Sequence, residues 1–158
     1  MARTGISKRS PKAPDAIAML RADHKHVSEL FAKYEGTRSL PMKKALVAQI
    51  CTELSVHAQV EEEVFYPAVQ AALEDKVLVP EAIVEQATLK ALISQIEGAE
   101  PGGEMFEAKV TVLAEYVKHH VKEEHTEMFP KAKAAGLDMS ELGSRLAARK
   151  QQLLSAAG

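Results

Sequence analysis

The sequence has no tryptophan, one cysteine, and only three tyrosines and four phenylalanines in 158 residues. A lone Cys51 excludes an internal disulfide framework and fits a reducing compartment. Glycine is sparse, with 8 residues. Charge of one sign is missing too: the formal net charge is -2, which gives no strong pull toward nucleic acid or an anionic membrane. No apolar run reaches the roughly 18 residues of a membrane span. No period-2 alternation is long enough to argue for a sheet. The N-terminal stretch (Arg3, Lys8, Arg9, Lys12) is basic but lacks the apolar segment of a signal peptide, so a cytoplasmic location is expected.

What remains is a helix-forming composition dominated by Ala, Leu, Val, Glu and Lys. The periodicity predicts a disordered basic arm over 1–13, a bundle over 14–135 and a C-terminal helix over 136–158. The first helix starts at Pro14 or Asp15 and ends near Tyr34, with Ile17, Leu20, Val27 and Phe31 inward and His24 among them. Ser39 caps a second helix, with Pro41 in its first turn. Leu46, Ile50, Leu54, His57, Val60 or Glu61, and Val64 share its inner face, and Pro67 ends or kinks it. A third helix starts at Pro80 or Glu81 and turns Ile83, Gln86, Leu89, Ile93 and Ile96 inward. A fourth runs from Glu104 to Phe129 with Val110, Leu113, Val117, His120, Glu124 and Met128 inside. Short connections imply an all-α, antiparallel up-down-up-down four-helix bundle, with the segment from Met139 to Leu154 packing outside it.

One stretch occurs twice without a gap. His57-Ala-Gln-Val-Glu61, closed by Phe65-Tyr66-Pro67, overlays His120-Val-Lys-Glu-Glu124, closed by Met128-Phe129-Pro130. A His and a Glu four residues apart project from one face of a helix. Burying two carboxylates and several imidazoles in one layer costs several kcal/mol unless compensated. A metal pair compensates, because it takes ionised Glu and neutral imidazole. Imidazole and carboxylate without thiolate suit iron, manganese or zinc.

Asp23-His24 with Leu30-Phe31, followed by the two His-x3-Glu…Pro stretches, resembles the hemerythrin-type HHE cation-binding family over about residues 15 to 150. The resemblance implies two iron ions, oxo- or hydroxo-bridged. It makes His24, His57 and His120 terminal ligands and Glu61 and Glu124 bridging carboxylates. Ferritin-like di-iron proteins use Glu-x2-His instead, and none is aligned with an apolar stripe here. The chain departs from the family in its third helix, where Glu85-Gln86 replaces a Glu-His pair and Lys90 stands where the oxygen carriers add a histidine. Gln86 could ligate, hold a bound water or leave a position open.

Three further residues are candidates for the metal centre or its surroundings. His125, five residues after His120, faces inward only if the helix bulges. Tyr116 and Glu53, each one turn before a ligand His, could look into the cavity. His26 and His119 point away from the centre, and Glu62, Glu63, Glu123 and Glu127 form a solvated acidic face. The leading expectation is a protein that binds or senses O2 or a related small oxidant. A di-iron oxidase, peroxidase or oxygenase using the position near Gln86 is the alternative. A degenerate or zinc-binding interaction or regulatory module is the third. No nucleic acid or membrane partner is expected.

Overall fold

The computed structural model describes residues 15–74 and 76–157, so the basic arm expected over 1–13 lies outside the described residues. α1 (Ala16–Gly36) begins where Asp15 accepts the Ala18 N–H at 3.0 Å. α2 (Leu40–Val60) begins where Ser39 Oγ accepts the Met42 N–H at 3.4 Å. After α2 the helix widens into a π turn over Glu61–Phe65 and continues as α3 (Tyr66–Ala72). α4 (Leu78–Glu97) starts earlier than Pro80, since a proline in the first turn forfeits an N–H that would be unpaired anyway. Gly102, at φ +88°, turns the chain into α5 (Glu104–Glu123). A second π turn, Glu124–Met128, leads into α6 (Phe129–Ala134). α7 (Met139–Ala157) follows the Gly136 turn.

The two π turns are the structural form of the sequence repeat. Each opens on the motif glutamate and closes just before the motif proline. The Tyr66 N–H bonds to Glu61 O and the Phe129 N–H to Glu124 O, five residues back in each case. A proline inside an α-helix lacks a donor and presses its ring on the carbonyl four residues back. The wider turn absorbs both problems, so Pro67 and Pro130 bend the path without ending it.

α1 packs on α2, α4 on α5 and α2 on α4, forming an antiparallel four-helix bundle. α7 lies across α1, α2 and the first π turn. One apolar cluster, around Phe65, Tyr66, Phe129, Leu142 and Leu146, fills the end that α7 covers. A second, around Ile50, Leu54, Ile93, Leu113 and Val117, fills the other. Between them lie His24, His57, Glu61, Gln86, His120 and Glu124, the buried polar residues among those described. The expected inward placement of Ile83 is corrected: it is 45 % exposed, and Val79 and Ala82 carry the buried stripe of α4 down from Gln86.

Cys51 is buried in the second cluster, and burial, with the Glu97 charge, pushes its thiol pKa up to about 11. The expected result is no reaction with a thiol reagent at pH 8 in the folded protein and prompt reaction once it is denatured. Rapid labelling of the native chain would contradict this burial.

Candidate metal centre

Both His-x3-Glu pairs face inward from the last turns of α2 and α5. His57 Nε2 lies 2.9 Å from Glu61 Oε1, and His120 Nε2 lies 3.0 Å from Glu124 Oε1. The pairs cross over: Glu124 Oε1 also reaches His24 Nε2 at 3.4 Å, and Glu61 Oε1 lies 3.9 Å from His120 Nε2. His24 Nε2 and His57 Nε2 are 3.2 Å apart. Two three-donor groups result, His24–His57–Glu124 and Glu61–His120–Glu124, with Glu124 common to both.

All three histidines turn Nε2 to the centre, and the outer nitrogen of each faces a particular neighbour. His57 Nδ1 bonds Asp23 Oδ2 at 3.0 Å, and Asp23 Oδ1 takes Lys150 Nζ of α7 at 2.6 Å. Burial would raise the Asp23 pKa, but the His57 and Lys150 contacts outweigh it and hold the carboxyl below its usual range. His24 Nδ1 meets His125 Nε2 at 2.8 Å. Burial, helped by the His24 and Arg21 charges, lowers the His125 pKa, so His125 is suited to accept that proton. His120 Nδ1 has no hydrogen bond and lies 3.9 Å from Glu85 Oε1. Outer partners of this kind fix which nitrogen is left free for a metal.

His125 thus sits behind His24, and the second π turn is what brings it there, since five residues on a regular helix would swing it about 140° away. The same geometry reveals Tyr66, which the sequence marked only as part of the repeated stretch and not as a residue of the centre. Its hydroxyl lies 3.1 Å from His120 Nε2 and accepts from Gln86 Nε2 at 2.9 Å. The signal available in the sequence was the offset: Tyr66 is five residues after Glu61, one π turn on, just before a proline. Gln86 Nε2 donates also to Glu61 Oε1 at 3.0 Å, which fixes the amide and leaves its Oε1 unpartnered.

Tyr116 and Glu53 do not enter the cavity, contrary to expectation. Tyr116 is 40 % exposed, and Glu53 pairs with His26 at 3.8 Å on the surface. The inner stripes run Ile50-Leu54-His57 and Val110-Leu113-Val117-His120, so the position three before each histidine is inside and the position four before it lies at the edge.

Electrostatics set the two carboxylates apart. Burial would raise Glu61, but the His57 charge and its hydrogen bonds outweigh it, and the pKa falls well below the usual range. Burial and the Glu61 charge push Glu124 up. Glu61 Oε2 and both Glu124 oxygens are buried without a hydrogen bond. Orphaned buried carboxylate oxygens facing imidazole Nε2 atoms form a donor set that fits a pair of hard or borderline cations. The two positions differ: the His24–His57 half is nitrogen-rich, while the Glu61–His120 half adds the Tyr66 hydroxyl and the Gln86 amide.

A family model described as Hemerythrin HHE cation binding domain matches residues 15–132. A protein of Nostoc sp. named DNA nickase is 32 % identical over 125 residues, covering 79 % of this chain and 34 % of that protein. The chain therefore spans about a third of the length of this curated relative. A crystal structure of a hemerythrin HHE cation-binding domain-containing protein from Mycobacterium kansasii superposes with a TM-score of 0.78 at 23 % identity. That superposition covers 91 % of this chain and 90 % of the other.

Proposed function

The chain belongs to the hemerythrin HHE cation-binding family, and from that premise we propose that it holds two iron ions and binds or senses O2 or a related small oxidant. His24, His57 and His120 would be terminal ligands, and Glu61 and Glu124 would be shared between the ions. Two iron ions there would supply one-electron redox chemistry and open coordination positions. The observation that carries the small-oxidant reading is a cavity of about 30 Å³ beside the centre. Val27, Leu54, Leu89, Ile93, Val117 and Val121 line it, with the imidazoles on the other side. Such a space admits one or two water-sized molecules. It favours a diatomic ligand over an organic substrate, and so favours binding or sensing over an oxygenase.

The protein's own groups shape that pocket. Burial, reinforced by the Glu61 and Glu124 charges, raises the Tyr66 pKa well above its usual value, so the phenol stays neutral. Its hydroxyl stands behind two residues that line the cavity, 3.1 Å from His120 Nε2 and 2.9 Å from Gln86 Nε2, and would act on an incoming ligand through them. Gln86 keeps this hydroxyl in place and occupies the space a fourth imidazole would fill.

The test is metal analysis with an optical spectrum of protein from iron-replete cells. About two iron ions per chain are expected, as in di-iron carboxylate bundles, with a near-ultraviolet band that is lost on reduction and returns in air. Iron-free protein, or a spectrum indifferent to reduction, would defeat the proposal. Tyr66→Phe is expected to keep the metal and change the reoxidation rate by about tenfold, the weight of one hydrogen bond to a charged group. The Nostoc relative suggests a second reading, in which this chain is the metal module of a nickase. Metal-dependent relaxation of supercoiled plasmid, abolished by Glu124→Gln, would favour that reading over the first.

A further inference from the structure

The second copy of the repeated stretch contains two interleaved His-x3-Glu pairs. His120 and Glu124 face the core, and His119 and Glu123 stand one residue earlier, on the outer side of α5. The corresponding residues of the first copy are Val56 and Val60, both buried. Val60 lies in the cluster that holds Leu142 and Leu146 of α7. α7 packs against the α1–α2 face and the first π turn. On the open α4–α5 face the outer pair joins Glu85, with His119 Nε2 3.0 Å from Glu123 Oε1 and 3.5 Å from Glu85 Oε2.

The bundle's internal repeat suggests what these residues do. Asp23 and Glu85 occupy like positions, each one residue before the polar residue its helix contributes to the core. Asp23 joins His57 Nδ1 on one oxygen to a cation, Lys150, on the other. Glu85 turns Oε1 toward His120 Nδ1 and Oε2 toward His119, so that a histidine stands where Asp23 has its lysine. His120 is 5 % exposed and its Nδ1 has no partner. A buried, unpaired imidazole nitrogen therefore faces Glu85 from the inside, and two further donors face it from the outside.

We propose that Glu85, His119 and Glu123 form a half-exposed divalent-cation site on the α4–α5 face, separate from the buried pair and joined to it through His120. One atom from each of the three residues lies within 4.8 Å of the others. They open on a shallow cleft of about 480 Å³, bordered by Pro80, Glu81 and Val84, which leaves room for waters to complete the coordination shell. One imidazole and two carboxylates suit a first-row divalent ion, held less tightly than in the buried centre because solvent reaches it. The ion would do for Glu85 and His120 what Lys150 does for Asp23 and His57.

The test is equilibrium dialysis of the metal-loaded full chain against Co²⁺, with iron measured before and after in the same samples. One Co²⁺ per chain beyond the buried complement is expected, bound at least tenfold more weakly in His119→Gln and in Glu123→Gln. Glu29→Gln, on the exposed face of α1, should match the parent protein. Iron content reports the buried centre independently, so its absence would count against the preceding proposal and not against this one. No cobalt beyond the buried complement, or uptake changed less than threefold in either variant, overturns the outer site.

Discussion

Removing the metal is expected to lower the melting temperature by about 15–30 °C. A ligand bound only to the native state contributes about 4 kcal/mol when its free concentration is a thousand times its dissociation constant. Two ions on that scale give about 8 kcal/mol, and a chain of this size melts about 2–4 °C lower for each kcal/mol lost. The source of the effect is visible in the core. Without cations, three buried carboxylate oxygens of Glu61 and Glu124 lack hydrogen bonds, and the imidazoles beside them carry the compensating charge. Burial would lower the His57 and His120 pKa values, but the carboxylates outweigh it and raise them to about 10 and about 11. Because these folded values lie above the unfolded one, the protonated histidines stabilise the metal-free fold fully below about pH 6.5. That contribution fades as pH rises through about 10. The metal-loaded chain holds its histidines neutral, so the gap between loaded and stripped protein should widen from pH 6.5 to 9. Calorimetry of both forms across that range checks it, and an unchanged melting temperature on chelation would point to a centre that holds no metal.

The bundle was legible because its information is local and periodic. Four stripes with caps at Asp15 and Ser39 need no long-range knowledge, and the stripe of α5 was read correctly residue by residue. The His-x3-Glu pairs were legible for the same reason, since four residues on a regular helix share a face. What escaped the sequence depends on departures from regular geometry. Tyr66 reaches the polar layer only through the first π turn, and no periodicity argument built on 3.6 residues per turn can place it. His125 was legible only on the condition of a helix bulge, and the second π turn supplies that bulge. The paired prolines marked where the helices deviate but not how, and a kink was expected where a widened turn formed. Tyr116 and Glu53 were misplaced by a smaller error of the same kind. One turn before a ligand seemed to mean the same face, but packing in this bundle follows the narrower seam and leaves those positions at its edge.

The chain is also less symmetric than its repeat. His24 has Phe129 stacked 6.1 Å away at 8° and His125 behind it, whereas Gln86 has Tyr66 and no imidazole behind it. α7 covers one side and anchors Asp23 through Lys150, whereas the other side is open. Duplication explains why there are two ligand pairs. The later differences give the centre one nitrogen-rich and one oxygen-rich position, and on them the two ions would become distinguishable.

Phe129→Ala is expected to cost about 3–5 kcal/mol, the usual range for emptying a buried phenylalanine site. At about 2–4 °C per kcal/mol this is a fall of roughly 6–20 °C in melting temperature. Phe129 is fully buried and directly follows the second π turn, with its ring edge-on to Phe65 at 5.8 Å and beside His125 at 5.4 Å. Truncation would therefore leave a void between α1 and the first π turn, bounded by rings that cannot easily collapse into it. The same ring forms one wall of the His24 side chain, so the loss should reach the centre as well as the core. His24 would keep its bond to His125 but lose the surface that sets its ring plane, and the nitrogen-rich half should release its ion first. Phe129→Leu separates the two effects: it keeps most of the volume, costs less than about 1.5 kcal/mol, and still removes the flat face against His24. Metal content measured at a temperature where both variants are folded should then fall in each, while only the alanine variant melts early. If both variants retain the full metal load, His24 is oriented by His125 alone and the aromatic wall serves the core only.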